Sequence, residues 1–195
     1  LHIAGSYMHE NAAAAISTLT LLGVDLADIV EHLPVLTYPQ GRMQKIILEK
    51  GVQVYIDYAH TPAALKAVLK HLERNCKGNL IVVFSCGGDR DRQKRQEMGR
   101  IASKYADIIL LTTDNCRSEN PATINEEIRS GFFAAQEYEE LLDRKEAILR
   151  AIDLAEENDI VLVAGKGHEN TQVIGDKVYP FSDYEVIMSY FNLHS

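Results

Sequence analysis

The chain has 195 residues, 46% hydrophobic and 25% charged, enough for about one domain with its own core and a remnant of another. Its 20 basic and 28 acidic side chains leave a formal net charge of −8, which argues against a general nucleic-acid binder, since such surfaces carry a basic excess. No apolar run reaches the ~18 residues of a membrane span, so no membrane insertion is expected. Cys76, Cys86 and Cys116 form no CxxC pair and cannot build a disulfide framework, so a reducing cytoplasm is the expected compartment. Leu1 is followed by no basic segment leading into an apolar one. No secretory signal is therefore expected, and the chain is expected to begin inside a longer protein.

The first forty residues read as helical. Glu10 to Leu22 is rich in Ala and Leu, with Gly23 just past its end in the C′ position. Asp25 can cap a short helix from Leu26 to Leu33, which Pro34 ends. The stretch Pro39-Gln-Gly-Arg42 punctuates the chain, and a domain boundary is placed near Gly41. Four short apolar runs follow: Val52 to Ile56, Leu80 to Phe84, Ile108 to Thr112 and Ile160 to Ala164. Continuous apolar runs of this length predict strands buried on both faces of a mostly parallel sheet. Helical patterns alternate with them, over Pro62–Arg74, Lys94–Tyr105, a segment opened by a capping box at Thr123 to Glu126, and Arg144–Glu157. A second capping box, Ser182 to Glu185, opens a terminal helix to about Phe191. Val173 to Val178 reads as a small hairpin turning at Gly175-Asp176. The expected fold is α/β and doubly wound, with helices on both faces.

In such folds ligands bind beyond the carboxyl ends of the strands. All four post-strand segments here are polar: Asp57 to Pro62, Ser85 to Arg95, Thr113 to Pro121, and Gly165 to Glu169. They are expected to converge on one edge of the sheet. Gly87 and Gly88 lead directly into Arg90, Arg92, Lys94 and Arg95, and guanidinium groups suit carboxylate or phosphate. The alternative is a solvated helix start, with Asp89 and Asp91 as the expected partners of the arginines. Gly165-Lys-Gly-His-Glu169 is no P-loop, and GxxxxGK[ST] occurs nowhere in the chain. His60 and His168 can act as bases or ligands, or simply as structural hydrogen-bonding groups. Cys86 and Cys116 read as small packing residues, and the acidic run Glu137, Glu139, Glu140, Asp143 as a solvated face. No metal-ligand spacing such as HExxH occurs. The residues alone point to a cationic, glycine-lined cleft for a small anionic or zwitterionic ligand.

At these same loops the sequence resembles the Mur ligases, and within that family the MurE type, which adds the third residue of the peptidoglycan stem peptide. The matching segments are Gly41 to Gln44, Asp57 to Pro62, Gly88 to Arg92 with Lys94-Arg95, Thr113 to Ser118, and Ala164 to Glu169. Their order and spacing carry the resemblance across nearly the whole chain, but only onto the C-terminal part of the usual enzyme. It implies a Rossmann-like C-terminal, amino-acid-binding domain over residues 42–195. Residues 1–41 would be the helical tail of a central ATPase domain. The P-loop and catalytic residues would lie in the absent part, so this chain alone is expected to be inactive. The implied reaction is ATP-dependent amide ligation through an acyl phosphate, with ATP and Mg2+ held mainly by that absent domain. The implied substrates are meso-diaminopimelate and UDP-MurNAc-dipeptide, and the full-length enzyme is expected to be a monomer.

The resemblance also implies site residues. Asp114-Asn115-Cys116-Arg117 stands where relatives carry an Asp-Asn-Pro-Arg box for diaminopimelate, and Arg117 would grip the distal carboxylate, which lysine lacks. Arg95 would bind the amino-acid carboxylate, and Gly165 and Glu169 would receive the far end, with Glu169 on the ammonium. Arg42, Asp57 and His60 match nucleotide-side positions, and Asn11 an asparagine near the adenine. No residue of this chain is expected to ligate a metal. Several positions depart from the pattern: Cys116 and Gln96 each replace a proline, and Tyr184 replaces an arginine. Rival readings are a lysine-adding ligase of the same type, a non-catalytic small-anion-binding module, and an amide ligase like folylpolyglutamate synthetase. The apolar faces bearing Leu19, Leu22, Leu26 and Ile29 are expected to belong with the absent domain.

Overall fold

A computed structural model describes residues 6–35, 39–48 and 51–194; of the segment 1–41, residues 1–5 and 36–38 lie outside it. The chain divides into two compact units, residues 1–39 and 40–195.

In the first unit, helix α1 spans Ser6–Leu21, starting earlier than its Ala-rich stretch suggests. Helix α2 spans Leu26–His32, and the Asp25 carboxylate accepts from Ala27 N–H as its N-cap. Pro34 sits in a single 3-10 turn, Leu33–Val35. Ile29 is buried, whereas Leu19, Leu22 and Leu26 are exposed.

The second unit is built on a six-stranded sheet in the order β1-β2-β6-β3-β4-β5. Its strands are β1 (Gln44–Ile47), β2 (Gln53–Asp57), β3 (Leu80–Phe84), β4 (Ile108–Leu111), β5 (Glu137–Glu140) and β6 (Ile160–Ala164). From β2 to β5 all neighbours are parallel, and β1 alone runs antiparallel, against β2. Every residue of β3 and β6 is buried, as two-sided burial of an apolar run requires. Helices α3 (Pro62–Glu73), α4 (Gln93–Tyr105), α5 (Pro121–Arg129), α6 (Arg144–Leu154) and α7 (Asp183–His194) connect and follow the strands. Val54, Ile56, Ile81, Val83, Leu110, Val161 and Val163 form one face with α6 and α7 packed on it. Strand alternation turns Val82, Phe84, Ile109, Leu111 and Leu162 to the other face, which α3, α4 and α5 cover with their buried stripes. A separate antiparallel hairpin, β7 (Thr171–Ile174) and β8 (Lys177–Pro180), turns at Gly175-Asp176.

Four details depart from the sequence reading. Residues 44–47 form an edge strand, β1, that a single pair of isoleucines does not signal. The acidic run is also an edge strand: β5 pairs in parallel with β4, although its side chains stay mostly exposed. Asp143 is not part of that surface but the N-cap of α6, accepting from Lys145 and Glu146 N–H. Helix α5 is capped by Asn120, with Pro121 in its first turn, rather than by the box at Thr123.

Helices α4 and α5 approach closely at Gly99, where an added Cβ would lie 1.9 Å from the Ile128 carbonyl oxygen. On an exposed helix alanine is favoured over glycine by about 1 kcal/mol. Here the sign should reverse. Gly99→Ala is expected to destabilise the fold by about 1–3 kcal/mol through overpacking, seen as a lower urea midpoint, and an unchanged or raised midpoint contradicts this packing.

Candidate functional site

The parallel strands β2, β6, β3 and β4 are adjacent and end on the same edge, so the loops after them meet. Hydrogen bonds document the meeting. Gly88 N–H donates to Asn115 O at 2.9 Å, and Gly165 N–H to Asp57 O at 3.0 Å. Lys94 Nζ reaches His60 O at 2.9 Å.

The centre of this edge is Lys166, whose side chain is fully buried. Its ammonium donates to Glu169 Oε2 at 2.9 Å and to Asn115 Oδ1 at 3.2 Å. Asn115 completes the triangle, donating from Nδ2 to the same Glu169 oxygen at 2.9 Å. Its Oδ1 also accepts from Val173 N–H at 2.9 Å. Burial raises the Glu169 carboxyl, but the hydrogen bonds from Lys166 and Asn115 and the nearby positive charge outweigh it, so the group is held below its ordinary range. Gly165 packs directly on Asp114: at its φ of +113° an added Cβ would sit 2.6 Å from Asp114 Oδ2. Asp114 and Glu169 against Lys166 make this end of the site acidic.

The other end is cationic. Arg117, in the left-handed region at φ +49°, is pinned to the hairpin. Its N–H donates to Val173 O at 3.1 Å and its carbonyl accepts from Gly175 N–H at 2.8 Å. Arg117 Nη1 donates to Gly88 O at 2.8 Å and to Asn115 O at 3.3 Å. Among the described residues it makes no ion pair. Arg90 is in the same position: exposed, bonded to Asp89 O at 2.9 Å and without an acidic partner. The two flank Gly87, where an added Cβ would meet Arg117 Nη1 at 3.1 Å and Arg90 Cγ at 3.8 Å. Cys116 is buried between these poles with its thiol pushed up by burial. Cys86 is buried against Met98, and burial pushes its thiol up to about 12, so both are packing residues and poor nucleophiles.

Arg95 is held by carboxylates of this chain. Its side chain is fully buried, and both Nη atoms bond Glu119 at 2.8 Å while Nη1 also bonds Glu127 at 2.8 Å. Arg92 also pairs with Glu127. The expected partners Asp89 and Asp91 serve the backbone instead. Asp89 accepts from Ser118 Oγ–H and N–H, and Asp91 from Gln93 N–H. The sequence reading missed Glu119 and Glu127 because they lie 24 and 32 residues from Arg95, beyond any local pattern. It also missed Gln172, whose buried amide donates to Thr113 O and Asp114 O at 3.1 and 3.3 Å.

On the β2 side Asp57 is buried and accepts from Met43 N–H at 2.8 Å. Burial raises its carboxyl against the opposing pull of the Met43 and Ala59 amides and of Arg42. The Arg42 guanidinium lies 4.6 Å over the Tyr58 ring, which also contacts His60 and His168. His60 Nδ1 bonds Tyr58 O at 2.8 Å. The predicted nucleotide-side residues Arg42, Asp57 and His60 therefore cluster. Asn11 belongs to the other unit, exposed on α1.

The family model described as "Mur ligase, glutamate ligase domain" matches residues 41–167. The chain belongs to the Mur ligase family. It is 46% identical over 181 residues to a UDP-N-acetylmuramoyl-L-alanyl-D-glutamate–2,6-diaminopimelate ligase from Coxiella burnetii, covering 93% of this chain and 37% of that relative. The ligase of the same name from Rickettsia typhi is 44% identical over 191 residues, covering 96% and 38%. A solved structure of a ligase with this name superposes with a TM-score of 0.77 at 39% identity, covering 98% of this chain and 39% of that one. The chain thus spans less than two-fifths of the length of these relatives. Among the described residues no helix is long and apolar enough to cross a membrane.

The Arg95–Glu119 pair has a pH signature. Hydrogen bonds from Arg95 hold the Glu119 carboxyl at about 2, below its ordinary 4.5. A depressed folded-state value contributes stability that is complete above about pH 4.5 and lost as pH falls toward about 2. Glu119→Gln should therefore lower the urea midpoint near neutrality, and the gap from wild type should close on acidification below about pH 4.5. A gap independent of pH contradicts the pairing.

Proposed function

We propose that the full-length protein is an ATP-dependent amide ligase of peptidoglycan precursor synthesis, acting in the cytoplasm. It joins meso-diaminopimelate to UDP-MurNAc-L-Ala-D-Glu, and this chain supplies the amino-acid-binding domain over residues 42–195. The relatives, named as diaminopimelate ligases, support the reaction class. The observation that carries the amino acid is the pair of poles at the strand edge. Among the described residues Arg117 and Arg90 make no ion pair, while Asn115 links Arg117 to the acidic end that Glu169 and Asp114 form around Lys166. A zwitterionic end with its own carboxylate and ammonium fits such a site, and lysine, with no distal carboxylate, leaves the arginines unmatched.

In this reading Arg117 and Arg90 receive the distal carboxylate and Glu169 the neighbouring ammonium. Asp114, Asn115, Cys116 and Gly165 shape the walls, and Arg95 holds the 113–121 loop in place through Glu119 and Glu127. With that end gripped, the other amino group is oriented toward the acyl phosphate made when ATP phosphorylates the dipeptide's terminal carboxylate. The amine nitrogen attacks the acyl carbon, and the tetrahedral intermediate expels phosphate as the nitrogen gives up its proton. Arg42, Asp57 and His60 face the nucleotide side. Magnesium, when bound, neutralises phosphate charge. Among the described residues of this chain no three His, Cys, Asp or Glu side chains converge as metal ligands. It contains no GxxxxGK[ST], and alone it is expected to be inactive.

Steady-state kinetics of the full-length protein test this. Truncating one partner of a buried charged hydrogen bond costs about 2–5 kcal/mol. Arg117→Ala is therefore expected to raise the KM for diaminopimelate by at least about 30-fold, with the KM for ATP nearly unchanged. Wild-type turnover of lysine as fast as of diaminopimelate contradicts the assignment.

A further inference from the structure

The end of β6 is held by a charge pair that has no role in the reaction described above. Arg144 and Asp183 are the first residues of α6 and α7, and both side chains are fully buried. Arg144 Nε and Nη2 donate to the two Asp183 carboxylate oxygens at 2.8 and 2.9 Å. Nη2 also donates to the carbonyl oxygen of Ala164 at 3.0 Å. Ala164 is the last residue of β6, beyond the end of the register with β3 at Val163. The next residue, Gly165, opens the loop that carries Lys166 and Glu169.

This arrangement is poorly explained by stability. Apolar residues of similar volume fill a buried site without desolvating two charges. The third guanidinium nitrogen, Nη1, is moreover buried without a hydrogen-bond partner, a further cost. What the pair does, and apolar residues cannot, is aim a rigid fork of donors at one backbone carbonyl. Asp114 and Glu169, the acidic groups of the candidate site, are close enough for their charges to act on Arg144.

We infer that Arg144, oriented by Asp183, is a positioning residue: it fixes the Ala164 carbonyl and so sets the Gly165–Glu169 loop for ligand binding. The effect on the loop stands by itself, while the effect on diaminopimelate rests on the proposed function. Lys166 and Glu169 are one and four residues beyond Gly165 in the chain, so a shift at Ala164 is transmitted to both through a short, glycine-flanked backbone.

The test uses the full-length protein with an apolar double variant, Arg144→Met with Asp183→Leu, and the conservative Arg144→Lys, which keeps charge but loses the fork. Amide hydrogen exchange is read at residues 165–169, with Leu80–Phe84 as the internal reference. The KM for diaminopimelate is read against the KM for ATP. In the double variant the loop amides should exchange at least about tenfold faster with the reference strand unchanged. The KM for diaminopimelate should rise at least about tenfold while kcat and the KM for ATP move less than about threefold. Arg144→Lys should shift both readouts the same way by a smaller factor, and it carries the test if the double variant does not fold. Loop exchange at the wild-type rate overturns the inference, and so does equal acceleration of loop and reference strand, which is global destabilisation. Faster loop exchange with an unchanged KM for diaminopimelate also overturns it. If the wild type does not turn over diaminopimelate, it is the proposed function that fails, and the exchange comparison alone then decides the role of Arg144.

Discussion

An ammonium group withdrawn from water must be surrounded by acceptors or its burial is prohibitively costly. Lys166 meets that requirement with one oxygen from each of two loops, Asn115 Oδ1 and Glu169 Oε2. Because Asn115 also bonds Glu169 and the Val173 amide, the loop after β4, the loop after β6 and strand β7 are tied at one point. Removing Glu169 takes the partner of the Asn115 Nδ2 donor, and removing Asn115 takes that of the Val173 amide, so the three segments hold a common geometry. The candidate site is the outward side of that knot.

Around it the domain sorts charge rather than accumulating it. The chain carries −8 overall, yet the segment from Cys86 to Arg95 is net +2. Carboxylates brought from α5 and the loop before it pair with two of these cations. Glu119 and Glu127 take Arg95 and Arg92, and Asp89 ties back to Ser118. Among the described residues Arg90 and Arg117 make no ion pair and bond backbone carbonyls instead, as Lys94 bonds the His60 carbonyl. Guanidiniums that make no ion pair at one end and a carboxylate excess at the other favour a ligand that presents an anion and a cation side by side, and disfavour one that lacks the anion.

The strand runs were legible because burial on both faces leaves an unmistakable apolar stretch, as at Leu80–Phe84 and Ile160–Ala164. The convergence of the loops followed from topology alone. The edge strands were not legible: β1 and β5 face solvent on much of their surface, so Glu137–Glu140 carries no apolar period to read. Within the site, the Asp114–Arg117 box and the Gly165–Glu169 loop stood out as contiguous motifs. The assignment of individual arginines did not. Residue type and local pattern do not separate Arg95 from Arg90; Glu119 and Glu127, distant in the chain, pair with Arg95, while among the described residues Arg90 makes no ion pair.

The central claim is that a two-pole cup, cationic at Arg117 and Arg90 and acidic at Glu169, receives one zwitterionic end of an amino acid. A crystal structure of the full-length protein with bound meso-diaminopimelate tests it most directly. The account predicts the distal carboxylate on the Arg117 and Arg90 guanidiniums, the adjacent ammonium on Glu169, and Arg95 still paired with Glu119 and Glu127. A carboxylate seated on Arg95 with those two glutamates displaced, or an amino acid bound away from Arg117 and Glu169, would contradict it.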